Sequence, residues 1–77
     1  MQHLIEFLII HLVKNPEEVK VERFEQDNGE VIYELSAHPD DIGRIIGQHG
    51  RTIKAIRSIA KIVAIPKKEK FRLEIVE

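Results

Sequence analysis

The sequence of 77 residues predicts an α+β fold, in which a three-stranded mixed sheet packs against three helices in the order α-β-β-α-α-β. Apolar residues recur at helical spacing in three segments and alternate with polar residues in three others. Glycine, asparagine and proline stand between these segments, where the chain must turn. A chain of this length supports one hydrophobic core, so we expect a single domain over residues 1–77.

The first helix is expected over residues 2–14, which carry apolar side chains at helical spacing and are followed by Pro16. Two strands should follow, because apolar and charged residues alternate on both sides of Asp27-Asn28-Gly29, a strong hairpin signal. The apolar members of these two strands are Val19, Val21, Phe24, Val31, Tyr33 and Leu35.

The second half of the chain returns to helical spacing. A short helix is expected from Pro39 to Gly47, with two aspartates in its first turn, where the helix dipole favours negative charge. A longer helix should extend from about Arg51 to Ile65, because Pro66 prevents it from continuing. Alternation over residues 71–76 predicts the last strand.

Gly47 and Gly50 lie between these two helices with the spacing G-x-x-G. Glycine tolerates a positive φ and lacks a Cβ, so a short turn can bring peptide N–H groups to a phosphodiester. The positive end of the following helix then points at the same place. The spacing alone is weak evidence, since a plain turn between packed helices often has it. Its surroundings must decide whether it binds nucleic acid.

The charges of the chain are divided between its two parts, although the net charge is only -1. Residues 1–41 hold three basic and ten acidic side chains, whereas residues 42–70 hold eight basic side chains and the single acid Glu69. The basic part begins just before the two glycines. A polyanion such as a nucleic acid would therefore be attracted to the half of the molecule that carries the glycine loop.

The segment from Ile46 to Ile53 resembles the KH-domain signature Ile-Gly-x-x-Gly-x-x-Ile at every fixed position. The predicted order of elements resembles the type II KH fold across the chain. Residues 39–47 (PDDIGRIIG) and 50–57 (GRTIKAIR) further resemble the small bacterial RNA-binding proteins of the KhpA family. The KH resemblance implies that the glycine loop clamps about four nucleotides of single-stranded RNA.

The KhpA resemblance implies a cytoplasmic protein with little sequence selectivity that serves as an RNA chaperone or post-transcriptional regulator. It also implies a homodimer, or a heterodimer with a larger protein of the KhpB (Jag) type. Many KH domains carry a lysine or arginine at the loop tip, where this chain has Gln48 and His49, so flanking arginines would have to compensate. The predicted RNA-binding residues are Arg44, Ile46, Gly47, Gln48, His49, Gly50, Arg51 and Lys54.

Apolar residues around the loop would serve mainly as core and partly as a floor for bases; they are Ile42, Ile45, Ile46, Ile53 and Ile56. No aromatic residue falls within residues 42–70, so we expect modest selectivity. Ala55, Ile59 and Ile62 widen the apolar arc of the long helix beyond what one sheet face requires. These three predict a dimer interface, unless the first helix covers them.

Other classes of function find little support in the sequence. The four histidines show no metal-ligand or nucleophile spacing and there is no cysteine, so we expect no catalytic site, metal or cofactor. The N-terminal apolar run is about a dozen residues long and includes Glu6, so no membrane insertion is expected. The alternative that remains is a protein-interaction adaptor that uses the KH fold without binding RNA directly.

Overall fold

The computed structural model describes residues 1–76 and confirms the predicted α+β fold and its α-β-β-α-α-β order. Single 3-10 turns follow α1, precede α3 and follow α3, so that the long helix ends one residue before the expected Ile65. The helices are α1 (Gln2–Ile10), α2 (Pro39–Ile46) and α3 (Arg51–Ala64), and the strands are β1 (Lys20–Glu25), β2 (Val31–Ser36) and β3 (Phe71–Ile75).

The sheet has the order β1-β2-β3 and is mixed, as predicted, because β1 and β2 are antiparallel whereas β2 and β3 are parallel. The hairpin lies where Asp27-Asn28-Gly29 predicts it. The N–H of Gln26 donates to the carbonyl of Glu30 at 2.8 Å, and Gly29 adopts a φ of 85°. The parallel pairing of β2 and β3 requires a crossover, and α2 and α3 provide it.

One face of the sheet forms the hydrophobic core with the helices. Alternate residues of β2 point to this face and are buried, and α1 adds its apolar side. Phe24 does not join them, since its odd spacing from Val21 places it on the other face, where it is 42% exposed. The buried core residues are Ile5, Ile9, Val21, Val31, Tyr33, Leu35, Ile45, Ile56 and Leu73.

The outer face of the sheet carries a row of three glutamates. Glu22 in β1 pairs with Glu34 in β2, which pairs with Glu74 in β3. Lys20 and Arg72 make ion pairs with the two outer members of the row. The central Glu34 is left between two like charges, so this face is acidic.

Helix α1 ends at Ile10, four residues before the expected position. The cause is a buried carboxylate of α2. Asp41 accepts hydrogen bonds from the backbone N–H groups of Lys14 at 3.1 Å and Asn15 at 3.0 Å. Because Asp41 holds both donors, the chain leaves the helical path and turns toward α2.

Candidate nucleic-acid interface

The turn between α2 and α3 depends on glycine at its first position. Gly47 has φ 75° and ψ 173°, a conformation open essentially to glycine alone. A Cβ at Gly47 would contact the side chain of Thr52 and lie 2.8 Å from the Thr52 backbone nitrogen. The Thr52 backbone can therefore pack closely only while position 47 has no side chain.

Two later residues of the loop are left-handed. His49 has φ 56° and Gly50 has φ 72°, and the Gly50 N–H closes the turn on the carbonyl of Gly47 at 3.2 Å. A Cβ at Gly50 would meet nothing within 4 Å. Glycine is thus favoured at position 50 by the backbone angle, and required at position 47 by both the angle and the lack of space.

The N-terminus of α3 has no side-chain cap. Its N-cap is Gly50, and the first turn holds no acidic residue. The neighbouring α2 differs, since the N–H of Asp40 donates to Nδ1 of His38 at 3.1 Å. The first N–H groups of α3 and the positive end of its dipole are therefore available to an anion beside the loop.

The structure brings the predicted RNA-binding residues together around this turn. Gln48 and His49 are exposed at its tip, and Arg44 is exposed on the last turn of α2. Arg51 and Lys54 are exposed at the start of α3. Within residues 1–76, none of these three cations makes an ion pair. Their charges are free to attract a phosphate.

The isoleucines predicted as a floor divide into two groups. Ile45 and Ile56 are buried in the core and cannot touch a ligand. Ile42, Ile46 and Ile53 are half-buried, so each shows part of its side chain at the surface. Only this second group can provide apolar contact to a base.

An apolar cleft of about 360 Å³ lies beside α2, one helical turn from the loop. Ile42 and Gly43 of α2 and Val76, which follows β3, are among the residues that line it. The carbonyl of Gly43 accepts the N–H of Gly47 at 2.9 Å, which links the cleft directly to the loop. The sequence prediction included Ile42 but missed Gly43 and Val76. A glycine inside a short helix, where it lowers stability, was the signal available for Gly43.

The single acid of the basic segment is occupied elsewhere. The hydroxyl of Tyr33 donates to Oε1 of Glu69 at 2.9 Å. Burial raises the pKa of Tyr33 above its ordinary value, and the bond to Glu69 raises it further. Glu69 is thus tied to the sheet, while its carboxylate keeps its negative charge.

The family of the chain follows from its likeness to known sequences. Residues 2–75 match the profile of the KhpA/KhpB KH domain. The chain belongs to this family. It is 42% identical over 78 residues to the RNA-binding protein KhpA of Halalkalibacterium halodurans, with all of both chains covered. It is 44% identical over 77 residues to the RNA-binding protein KhpA of Chlamydia pneumoniae, covering 100% of this chain and 97% of the relative.

Solved structures agree with the KH fold of the family. The chain superposes on a crystal structure of Era in complex with MgGDPNP and nucleotides 1506–1542 of 16S ribosomal RNA, with a TM-score of 0.60 and 19% identity. The match covers 96% of this chain but 28% of the Era chain. A crystal structure of an Aquifex aeolicus Era variant bound to GDP and AlF4- superposes equally, with a TM-score of 0.59 and the same coverage. At this identity the likeness concerns the fold alone.

The apolar side of α3 stays uncovered in this KH domain. Ala55 is exposed, Ile59 is 41% exposed and Ile62 is 69% exposed. The alternative that α1 covers these residues is therefore wrong for the isolated chain. Exposed isoleucines at this spacing form an apolar stripe of the kind found at interfaces.

Neither a membrane-spanning helix nor a metal-binding cluster occurs in the part of the chain that the structure describes. No helix among residues 1–76 has the length and apolar character needed to cross a membrane. Histidine and acidic residues of the same range nowhere form a group of three or more that could bind a metal ion.

Proposed function

We propose that this chain binds single-stranded RNA with low sequence selectivity and acts as an RNA chaperone or post-transcriptional regulator. The observation that carries the proposal is the loop of residues 47–50. Its glycine-dependent backbone lies at the uncapped end of α3, and Arg44 and Arg51 flank it without ion pairs in the described residues. The relatives' name, RNA-binding protein KhpA, supports the same reading.

In this proposal the loop binds the sugar-phosphate chain and the cleft receives bases. Amide groups near Gly47 and Gly50 donate to phosphate oxygens, while Arg44, Arg51 and Lys54 supply charge. Bases then lie on Ile46 and over the cleft beside Gly43. With two to four phosphate contacts, the salt slope should be about 0.7 per contact and the affinity about micromolar.

Low selectivity follows from the character of the cleft. Aliphatic groups and a helix backbone line it, and no aromatic ring is among the residues that form it. Contact with aliphatic groups accepts any base, because it does not read hydrogen-bonding edges.

The decisive experiment places negative charge at the loop tip. The double variant Gln48→Asp, His49→Asp should reduce RNA affinity by at least about tenfold through repulsion of phosphate, measured by fluorescence anisotropy with a short oligouridine. The matched control is His3→Asp, Gln26→Asp, which changes the same two residue types at exposed positions away from the loop. Equal binding by both variants would contradict the proposal. Circular dichroism checks that both remain folded.

We further propose that the stripe of Ala55, Ile59 and Ile62 joins two subunits. The partner is a second copy of this chain or a larger KhpB-type protein, and the assembly acts in the cytoplasm without a cofactor or catalysis. Linking two loops would raise RNA affinity by avidity. If the loop variant bound RNA normally, or if wild type bound none, the adaptor function would become the better explanation.

A further inference from the structure

Helix α3 carries a row of cations that continues beyond the predicted RNA-binding residues. Lys54, Arg57 and Lys61 are exposed, and their spacing of three and four residues places them on one flank of the helix. Ala55 and Ile59 follow Lys54 by one and five residues, which places them on the opposite flank. The exposed surface of α3 is thus divided lengthwise into a basic side and an apolar side.

The basic flank ends at an open basin of about 550 Å³, at the C-terminal end of α3. Ala64, Ile65 and Phe71 provide its apolar part, and Phe71 is held in place by an edge-to-face contact with Tyr33 at 6.2 Å between ring centroids. The cationic residues that line the basin are Lys61, Lys68 and Lys70.

Glu69 also lines this basin and offsets part of the positive charge of its lysines. The Glu69 carboxylate accepts the hydroxyl hydrogen of Tyr33 and is half-buried. An apolar floor with ammonium groups at its rim has the chemistry of a nucleotide site, where a base rests on carbon atoms and its phosphate meets the cations.

We propose that an RNA strand held at the glycine loop continues along Lys54, Arg57 and Lys61 and places a nucleotide in the basin beside Ile65. This inference rests on the proposed function and lengthens its footprint beyond the about four nucleotides that a KH loop clamps. The 14 residues of α3 extend about 21 Å, so the basin lies well outside the cleft beside α2.

Two observations favour a nucleic-acid strand as the occupant. The row of cations on α3 forms a track that is continuous with the loop. Arg51 and Lys54 lie at its start, and Lys61 lies in the track and also lines the basin. The outer face of the sheet, with its row of Glu22, Glu34 and Glu74, repels the same polyanion. A strand leaving the loop is therefore guided along α3 and away from that face.

The test compares oligouridines of about four and about ten nucleotides. It uses the Ile62→Asp background, so that one strand does not bridge two subunits. A longer strand offers the loop more positions to bind, which alone raises its apparent affinity. Beyond this statistical factor, it should bind about tenfold more tightly, which is the gain expected from one further base contact. Lys61→Gln, Lys68→Asn should remove most of this gain and leave the affinity for the short strand unchanged. Asparagine is chosen because Lys68 has a left-handed φ of 54°.

The control is Lys14→Gln, Lys20→Gln, which removes two exposed lysines outside the track and should retain the gain. In NMR titrations, the amides of Ala64, Ile65 and Lys70 should move with the longer strand and stay in place with the shorter one. Movement of these amides by the short strand, an undiminished gain in the Lys61 and Lys68 variant, or equal movement on adding polyglutamate would overturn the inference.

Failure of the inference is distinguishable from failure of the proposed function. If the loop amides move with both strands but the basin amides never move, the loop binds RNA and the track does not. If the loop amides move with neither strand, RNA binding itself is refuted.

Discussion

The carboxylate of Asp41 holds Asn15 by two groups, accepting its backbone N–H at 3.0 Å and its side-chain Nδ2–H at 3.1 Å. Lys14 donates its backbone N–H to the same carboxylate. Asp41 is fully buried in the first turn of α2, the helix that leads into the glycine loop. The connection after α1 and the entrance to the candidate RNA site are therefore joined through one side chain.

Asp41→Asn should destabilise the fold markedly at neutral pH, because an amide presents its own N–H groups to three donors. Burial opposes ionisation of Asp41, but the hydrogen bonds from Lys14 and Asn15 outweigh it and lower its pKa below the ordinary 3.8. The stability from this carboxylate is thus present above pH 3.8 and is lost as the pH falls through the lower folded-state pKa.

Urea unfolding at pH 7 and near pH 3 checks this prediction. The gap in free energy of unfolding between wild type and Asp41→Asn should narrow at the lower pH. Asp40→Asn is the control, since Asp40 is exposed beside it. A gap that stays constant with pH would show that the ionised form of Asp41 is not what stabilises the fold.

Gly47→Ala should cost more stability than Gly50→Ala. At Gly50 the penalty is the left-handed angle alone, about 1–2 kcal/mol, because the added Cβ has open space. At Gly47 the backbone strain of about 1–3 kcal/mol is joined by the collision with Thr52. Thermal unfolding of the two variants measures the difference, and Gly50→Asn should come closest to wild type because asparagine tolerates this conformation. An equal loss at both glycines would contradict the close packing of Thr52.

Gly43→Ala should raise stability and weaken RNA binding. Alanine inside a helix is favoured over glycine by about 1 kcal/mol, and its methyl group would meet no protein atom within 4 Å. The same methyl group would occupy the cleft in which bases are proposed to lie. Chemical denaturation should therefore show a higher free energy of unfolding, whereas anisotropy titrations should show a lower RNA affinity. Unchanged RNA affinity would remove this part of the cleft from the binding site.

Tyr33→Phe should lower the free energy of unfolding by about 1–2 kcal/mol, because it removes the hydrogen bond to the Glu69 carboxylate while keeping the ring. The raised pKa of Tyr33 means that this contribution is present below the ordinary pKa of 10.0 and is lost as the pH rises through the higher folded-state value. Urea midpoints at pH 7 and above pH 10 test both statements. Glu69→Gln keeps a hydrogen-bond acceptor, so its free energy of unfolding should fall less than that of Tyr33→Phe. A larger fall in Glu69→Gln than in Tyr33→Phe would argue against the hydrogen bond.

Ile62→Asp should convert a dimer into monomers, because it places a charge within the proposed apolar interface. Ile62 is 69% exposed in the single chain, so its own fold should not suffer. Sedimentation velocity measures the change. Leu12→Asp, which alters another exposed apolar residue outside α3, should leave the dimer intact. A dimer that persists in Ile62→Asp would exclude this stripe as the interface.

The sequence predicted the features that depend on residues close to one another along the chain. The hairpin at Gly29, the start of α2 at Pro39 and the turn at Gly47 depend on local chemistry, and the structure has them where they were expected. The end of α1 was missed because Asp41 lies 26 residues away from Asn15. A helical pattern of apolar residues does not show that a side chain so distant in sequence will accept hydrogen bonds from the backbone.

Sheet register explains most of the remaining differences. The row of glutamates follows from which residues pair across strands, and this pairing is set by the folded sheet. The basin beside Ile65 likewise joins the end of α3 to the start of β3. Proximity of this kind is a property of the assembled fold, whereas the charges that line it were already visible in residues 42–70.

The glutamate row has a consequence for how the molecule meets RNA in solution. With a net charge of -1, this chain gains almost nothing from overall attraction, yet its two opposite sides carry opposite signs. Such an electric dipole experiences a torque in the field of a polyanion and rotates before contact. Productive collisions are then selected by orientation, and raising the ionic strength should slow association more than the near-zero total charge would suggest.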